Sequence, residues 1–292
     1  MTTLEASVPL RRRSRLGRLA RWLGADLRAL LSVSYLLLLV LAAIFASKIA
    51  PYSPNALDVH AILNPPSAAH LLGTDQLGRD VLSRLIWGTP NSLYACVLAV
   101  SVGAALGIPV GLLIGFVGGW LDDLVSRFID AMLSFPAIVL AIAVTGALGI
   151  GLTNAMISVG IVFAPVLARL VRAQTIIVKG ALYVDAARGL GASHAHIVMR
   201  HIVPNAIQPV IVQVTLMLAV ALLAEASLSF LSLGVQPPAV SWGGMLAGAY
   251  NYMDIAPSQM YPPGLAILLT ALAFNGLGES LRVALDPTMN RT

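Results

Sequence analysis

From Ala131 to Ala168 the chain runs through 38 positions without one Asp, Glu, Lys or Arg. A hydrocarbon core about 30 Å thick is crossed by a helix of ~20 residues, so this stretch is too long for one span and too apolar for a solvated loop. The turn-forming sequence Gly149-Ile-Gly-Leu-Thr-Asn154 divides it near its middle. Two spans, 131–150 and 154–173, joined by a tight hairpin, are therefore predicted. The same search for charge-poor windows places further spans at about 29–48, 91–117, 207–233 and 261–282. The chain reads as an all-α polytopic membrane protein with six transmembrane helices. Its composition agrees, with 58% hydrophobic and 11% charged residues, where a soluble domain carries about 25% charged.

The window from Ala29 to Ser47 is longer than the ~7–15-residue core of a signal peptide, and no small-x-small cleavage site follows it. It is read as a retained anchor behind a basic segment, residues 1–28, whose Arg11, Arg12, Arg13, Arg15, Arg18 and Arg21 suit the inner leaflet. With that segment inside, fifteen of the eighteen Lys and Arg fall on the cytoplasmic side, and only Lys48, Arg79 and Arg84 fall outside. The positive-inside rule favours this orientation over its inverse. Both termini are then cytoplasmic, the membrane-embedded body spans 29–287, and 288–292 is a short tail. The net charge of +5 does not indicate nucleic-acid binding, because the arginines lie beside apolar spans and not on a soluble face. The single cysteine, Cys96, excludes an internal disulfide framework.

The cytoplasmic segment 179–205 between the fourth and fifth spans is helix-forming in two pieces. The first, about Leu182–Arg188, contains Ala186-Ala187 and an Asp185–Arg188 pair one turn apart. Gly189 and Gly191 are expected to break it. Ser193 offers an N-cap oxygen to a second helix that is expected to end at Pro204. A rigid two-helix knob loses little entropy when it docks into a groove.

This segment resembles the EAA motif of ATP-binding-cassette importer permeases. Asp185-Ala186-Ala187 stands for its first element, Gly191 for its glycine, and His201-Ile202-Val203-Pro204 for its close, with Asp, His and Val as departures. Leu72–Arg84, Gly118–Asp123 with Phe135-Pro136, Glu225–Gly234 and Leu285-Asp-Pro287 resemble the peptide-importing branch, specifically its second permease subunit. The resemblance implies a MetI-like type I importer fold. It also implies a heterodimer with a related permease, two ATPase subunits gripping the coupling helices, an extracytoplasmic binding protein, and import of di- or oligopeptides by alternating access. Nickel and glutathione importers share this subunit type. The implied coupling residues are Asp185, Ala186, Ala187, Gly191, Ser193, His201 and Pro204. The chain has no Gly-x-x-x-x-Gly-Lys-[Ser/Thr] loop, and its only lysines are Lys48 and Lys179. ATP and magnesium would therefore be held by the partner ATPases. No catalytic constellation is recognisable, so the chain is not read as an enzyme.

Other residues carry weaker expectations. Glu225 interrupts an apolar span and should face the bundle interior, as a pathway residue or a packing contact. Asp75/Arg79 and Asp80/Arg84 are spaced as i, i+4 pairs of a short salt-bridged helix, or serve as a binding-protein contact. Asp122, Asp123, Arg127 and Asp130 read as solvated or mutually paired loop charges. Gly103, Gly107, Gly111 and Gly115 lie on one helix face, which suits close helix packing. His194 and His201, a heptad apart, share a face with polar-contact character, and no carboxylate or cysteine completes a metal set with them and His196. A self-contained secondary transporter or channel would need intramembrane ionisable groups, for which only Glu225 qualifies.

Overall fold

A computed structural model describes residues 26–285. The basic segment through Arg21, the last two residues of Leu285-Asp-Pro287, and the tail 288–292 lie outside the described residues. Among the described residues the regular secondary structure is helical, apart from an isolated bridge between Thr74 and Asp80. The principal helices are α1 (Leu27–Ile44), α2 (Val81–Val117), α3 (Gly119–Ser134), α4 (Ala137–Leu148), α5 (Leu152–Lys179) and α6 (Leu182–Gly189). They continue with α7, which runs His194–Phe230 through a π-turn, α8 (Trp242–Tyr250) and α9 (Tyr261–Leu285). Five of these are long and apolar enough to cross a membrane, or six when α3 and α4 count as one broken span.

The α2–α5 pair forms the centre, and glycine determines how close it comes. A Cβ at Gly103 would lie 2.8 Å from Phe163 Cβ, and one at Gly115 would lie 2.8 Å from Thr175 Cβ. At Gly107 and Gly111 it would strike the Ala164 and Ala168 carbonyls. Gly160 of α5 answers in the other direction, against Ala99 O and Val102. The stripe therefore brings two backbones into contact, the arrangement by which helices associate in lipid without a hydrophobic driving force. Lys179 closes the C-terminal end of the pair: its Nζ donates to Phe116 O at 2.5 Å and sits 5.6 Å from the Phe116 ring centroid. Around this pair α7 and α9 complete a core that includes Met156, Leu167, Leu222, Leu228 and Trp242.

Several expected boundaries move. The helix that carries the second span begins at Val81, ten residues before the charge-poor window, because Asp80 caps it, accepting from Ser83 N and Ser83 Oγ at 2.7 Å each. At 1.5 Å per residue its 37 residues extend about 55 Å, well beyond a ~30 Å hydrocarbon core. The third span is not one helix from 131: α3 and α4 meet at 97°, where Phe135 and Pro136 take extended backbone. The charges expected in a loop lie on α3 instead. Arg172 grips Asp122 in a bidentate pair at 2.5 and 2.7 Å, and Arg169 pairs with Asp130. These pairs hold α3 across α5, with Ile129 buried against Ile114 and Ala168. The hairpin after α4 turns where expected: Gly149 and Gly151 have φ of 96° and 143°, and Asn154 Nδ2 donates to the Leu148 and Gly149 carbonyls at 2.9 and 3.2 Å.

The two ends of the bundle meet on one face. Asp26 caps α1 by accepting from Arg28 N at 2.9 Å, and its other oxygen accepts from Ser280 near the end of α9. The knob Leu182–Ile202 lies at the C-terminal ends of α2 and α5, where Val184, Ile197 and Ile202 pack on Leu112, Phe116 and Val178.

Candidate functional site

The knob begins where Gly180 and Ala181 turn the chain out of α5. Helix α6 lasts eight residues. Its end is a Schellman motif: Ala192 N donates to Ala187 O at 3.1 Å, and Gly191 N donates to Arg188 O at 3.0 Å. Gly191 occupies the left-handed position with φ +81°, and a Cβ there would meet nothing within 4 Å. Glycine is required at 191 by conformation and not by space. Gly189, also expected as a breaker, is the last helical residue, so a single glycine performs the turn. Ser193 then caps α7, accepting from His196 N at 3.3 Å.

The second piece of the knob does not end at Pro204. It runs through a π-turn, Val198–Ile202, directly into the fifth span. Proline lacks an N–H and its ring crowds the carbonyl of residue i−4. The chain relieves this by widening one turn, so that Val203 N reaches Val198 O, and Asn205 Nδ2 donates to His201 O at 2.6 Å. The inserted residue also changes the histidine faces. His196 and His201 come together with ring centroids 5.8 Å apart, and His201 lies 6.0 Å from Tyr183. His194 turns away to meet Phe116 edge-on at 5.5 Å, so the expected His194–His201 face is not formed. Among the described residues no group of three or more His, Cys, Asp or Glu is placed to hold a metal.

Only the underside of the knob is buried, through Val184, Ile197 and Ile202. Asp185 and Ala186 are exposed, Ala187 half-buried, and Asp185 accepts from Arg188 Nη1 at 3.1 Å. Beside them stand two leucines that sequence reasoning passed over, Leu182 at 87% and Leu190 at 90% exposure. Leucines this exposed on a polar, helical projection form a contact surface without a contact. Their signal in the sequence was present but weak, an apolar residue on each side of the Asp-Ala-Ala-Arg-Gly core.

Ahead of α2 the charges Asp75, Arg79 and Asp80 do not form a helix, and Arg84 lies in the first turn of α2. Asp75 sits in a turn, where Oδ1 accepts from Leu77 N and Arg79 N and Oδ2 pairs with Arg79 Nε at 2.7 Å. Arg84 pairs with Asp75 at 3.3 Å and not with Asp80, which is occupied as the α2 cap and lies 3.0 Å from His70 Nδ1. The i, i+4 reading of 80/84 fails because Asp80 precedes the first helical turn. Glu225 is fully buried. Its Oε1 accepts from Ser229 Oγ at 2.9 Å and Ser241 Oγ at 2.7 Å. Its Oε2 lies against Gly243, where a Cβ would come within 2.6 Å. The carboxyl group thus abuts the N-terminus of α8. The same end of α8 is fastened by Trp242 N to Ser92 Oγ at 3.0 Å, Trp242 Nε1 to Leu85 O at 2.9 Å, and Asn91 Nδ2 to Val240 O at 2.6 Å.

Comparison with known proteins now bears on this geometry. Residues 107–291 match the family described as "Binding-protein-dependent transport system inner membrane component". The chain belongs to that family. The glutathione transport system permease GsiD of Escherichia coli is 46% identical over 260 residues, covering 89% of this chain and 86% of the relative, and GsiD of Shigella boydii matches equally. Two chains from inward-facing structures of the MetNI methionine ABC transporter share the fold, each with a TM-score of 0.57. They are 22% and 21% identical and cover 70% and 69% of this chain, and 96% of their own length. The protein is thus a multi-pass permease subunit of a binding-protein-dependent ABC importer, with the MetI-like helical fold. Membership implies ATPase and binding-protein partners. The knob, the outer charge cluster and the Glu225 latch all belong to this permease.

Proposed function

We propose that this permease imports peptides, glutathione among them, across the bacterial inner membrane, as one half of a heterodimer with a second, related permease. Two ATPase subunits, which hold the ATP and magnesium, dock from the cytoplasm, each on one knob. The N- and C-termini lie on that same side. On this reading Asp185, Ala186, Ala187, Gly191, Ser193, His201 and Pro204 shape the coupling surface. Gly191 and Ser193 fix its turn, Pro204 sets its rotation on α7, and the Asp185–Ala187 face carries the contact. An extracytoplasmic binding protein delivers substrate near the Asp75–Arg84 cluster. Nickel remains the rival substrate.

The observation that carries the coupling assignment is the pair of leucines, Leu182 and Leu190, projecting from a rigid knob whose underside alone is packed. Burying both against a groove would remove most of two leucine side chains from water, worth about 1.5–3 kcal/mol each. Closure of the ATPases on nucleotide would then draw the knobs together and turn the cavity outward, and hydrolysis would reset it. The test is the complete complex in proteoliposomes. Leu190→Asp is expected to lower binding-protein-dependent ATP hydrolysis and peptide uptake together, about tenfold or more, with the permease pair still inserted. Unchanged uptake with Leu190→Asp would remove the knob from the coupling path. Uptake of labelled glutathione, of a dipeptide and of a nickel chelate, compared in one strain lacking this permease, separates the substrates.

A further inference from the structure

The outer turn Gly73–Asp80 and the segment leading into α8 enclose a cavity of about 160 Å3, lined by Asp75, Arg79 and Arg84 on one side and by Pro237, Pro238 and Met245 on the other. Two guanidiniums share one carboxylate here. The Arg79 and Arg84 Nε atoms lie 2.7 and 3.3 Å from Asp75 Oδ2, and the three side chains are only 10–13% exposed. Asp75 Oδ1 is already taken by two backbone N–H groups. Arg84 Nη1 donates to Pro54 O at 2.9 Å. Arg79 Nη1 and Nη2 and Arg84 Nη2 have no protein acceptor among the described residues. The cleft thus holds one positive charge more than it neutralises, largely withdrawn from water, with a guanidinium fork left unfilled.

A planar carboxylate matches that fork with two parallel hydrogen bonds. The size of the cavity selects its source. Sites for whole small molecules run to about 300–1,000 Å3, so 160 Å3 suits one inserted side chain better than a peptide. The position agrees on the orientation proposed above: the cleft lies at the N-terminal end of α2, whose 37 residues, about 55 Å, exceed a ~30 Å core. We propose that this cleft receives an acidic side chain of the extracytoplasmic binding protein, with Arg79 supplying the fork. The inference rests on the importer reading above and narrows its outer contact to one residue pair. Asp80 takes no part, since capping and His70 engage both its oxygens.

The experiment uses the whole transporter in nanodiscs, with its own binding protein titrated against ATP hydrolysis and against direct docking. Arg79→Gln should raise the half-saturating binding-protein concentration about tenfold or more and flatten its dependence on salt. Arg79→Glu should raise it further, and Arg79→Lys should recover part of the loss, because charge without the fork remains. Assembly of each variant is read by co-purification of the two permeases. Wild-type docking and wild-type salt dependence in Arg79→Gln would overturn the proposal, as would Arg79→Lys docking as poorly as Arg79→Gln. Loss of co-purification in Arg79→Gln, with docking unchanged in the complexes that do form, would assign the cleft to the permease–permease contact and overturn it equally. A wild-type transporter that never responds to a binding protein would overturn the importer reading, and the proposal with it.

Discussion

Gly191 offers the most discriminating perturbation, because the structure separates its two possible reasons for being glycine. Space is not one of them: a Cβ at 191 would touch nothing within 4 Å. Conformation is, since φ is +81° and two Schellman bonds depend on it. An L-residue with a Cβ costs about 1–2 kcal/mol in the left-handed region, Asn much less, and a β-branched residue more. Because no collision adds to this, the penalty should follow backbone preference alone, in the order Asn, then Ala, then Val. A loss of 1–2 kcal/mol corresponds to a 5- to 30-fold shift in the population of a correctly closed knob. Gly189 serves as the internal control. It lies in the last helical turn with open space around it, so Gly189→Ala should be neutral or gain up to about 0.5–1 kcal/mol. The assay is peptide uptake per ATP hydrolysed in proteoliposomes, together with the yield of inserted permease pair. The spans pack without the knob's turn, so insertion should be constant across the series. Equal coupling in Gly191→Val and Gly191→Asn would refute the reasoning, and so would an Ala variant no better than Val, because either result would mean that backbone conformation at 191 is not what the knob requires.

Gly107→Leu should separate α2 from α5, since its Cβ would strike the Ala164 carbonyl and come within 2.9 Å of Leu167 Cβ; a cost of about 1–3 kcal/mol should appear as a lower unfolding midpoint in detergent. Glu225→Ala should strip the anchor from α8 and leave Ser229 and Ser241 without their acceptor, at about 1–3 kcal/mol, while Glu225→Gln keeps one acceptor and should lose less; limited proteolysis of 235–256 reads the difference. Asp26, held below its usual carboxylate range chiefly by the Ser280 hydroxyl, contributes stability at pH above its ordinary value of 3.8 that is lost as pH falls toward the lowered one; Ser280→Ala should weaken that acid dependence.

The spans were legible because each is a long charge-poor window, and the hairpin at Gly149–Asn154 was legible because glycine and asparagine have local reasons to turn. What the sequence hid has a different physics. Helix α3 was concealed by its own charges: Asp122 and Asp130 look like loop residues until Arg172 and Arg169, on another helix, are brought alongside. Helix α8 has nine residues and little periodicity, and its anchors, Ser92, Leu85 and Glu225, come from two other helices. Pro204 was misjudged because a proline in isolation stops a helix, whereas a widened turn and Asn205 accommodate this one. At the outer cluster, spacing alone suggested two ion pairs; one carboxylate takes both arginines because the other is needed as a cap.

These corrections together connect the two ends of the permease. Because the π-turn replaces the expected stop, α7 runs without a break from His194 in the knob to Phe230 at its far end, where Glu225 accepts from Ser241 beside α8. At 1.5 Å per residue its 37 residues form a strut of about 55 Å. A displacement of the knob would be carried along one helix to the segment at α8, with the orientation of the knob on that strut set by the π-turn. Pro204→Ala tests this without altering the Leu182–Leu190 surface. It restores an N–H that can bond to the Arg200 carbonyl, worth about 0.5–1.5 kcal/mol, and removes the reason for the inserted residue. Return of that turn to α winding rotates everything before it by about 100° around α7. The His196–His201 contact at 5.8 Å should then break, and the coupling face should no longer meet its groove. Spin labels at Leu190 and Trp120, both exposed, should report an altered distance, and uptake per ATP should fall at least as far as in Gly191→Val, although the variant helix is locally more regular. If the label distance changes while coupling survives, the knob's rotation is irrelevant to transport. If the distance does not change, proline is not what widens the turn.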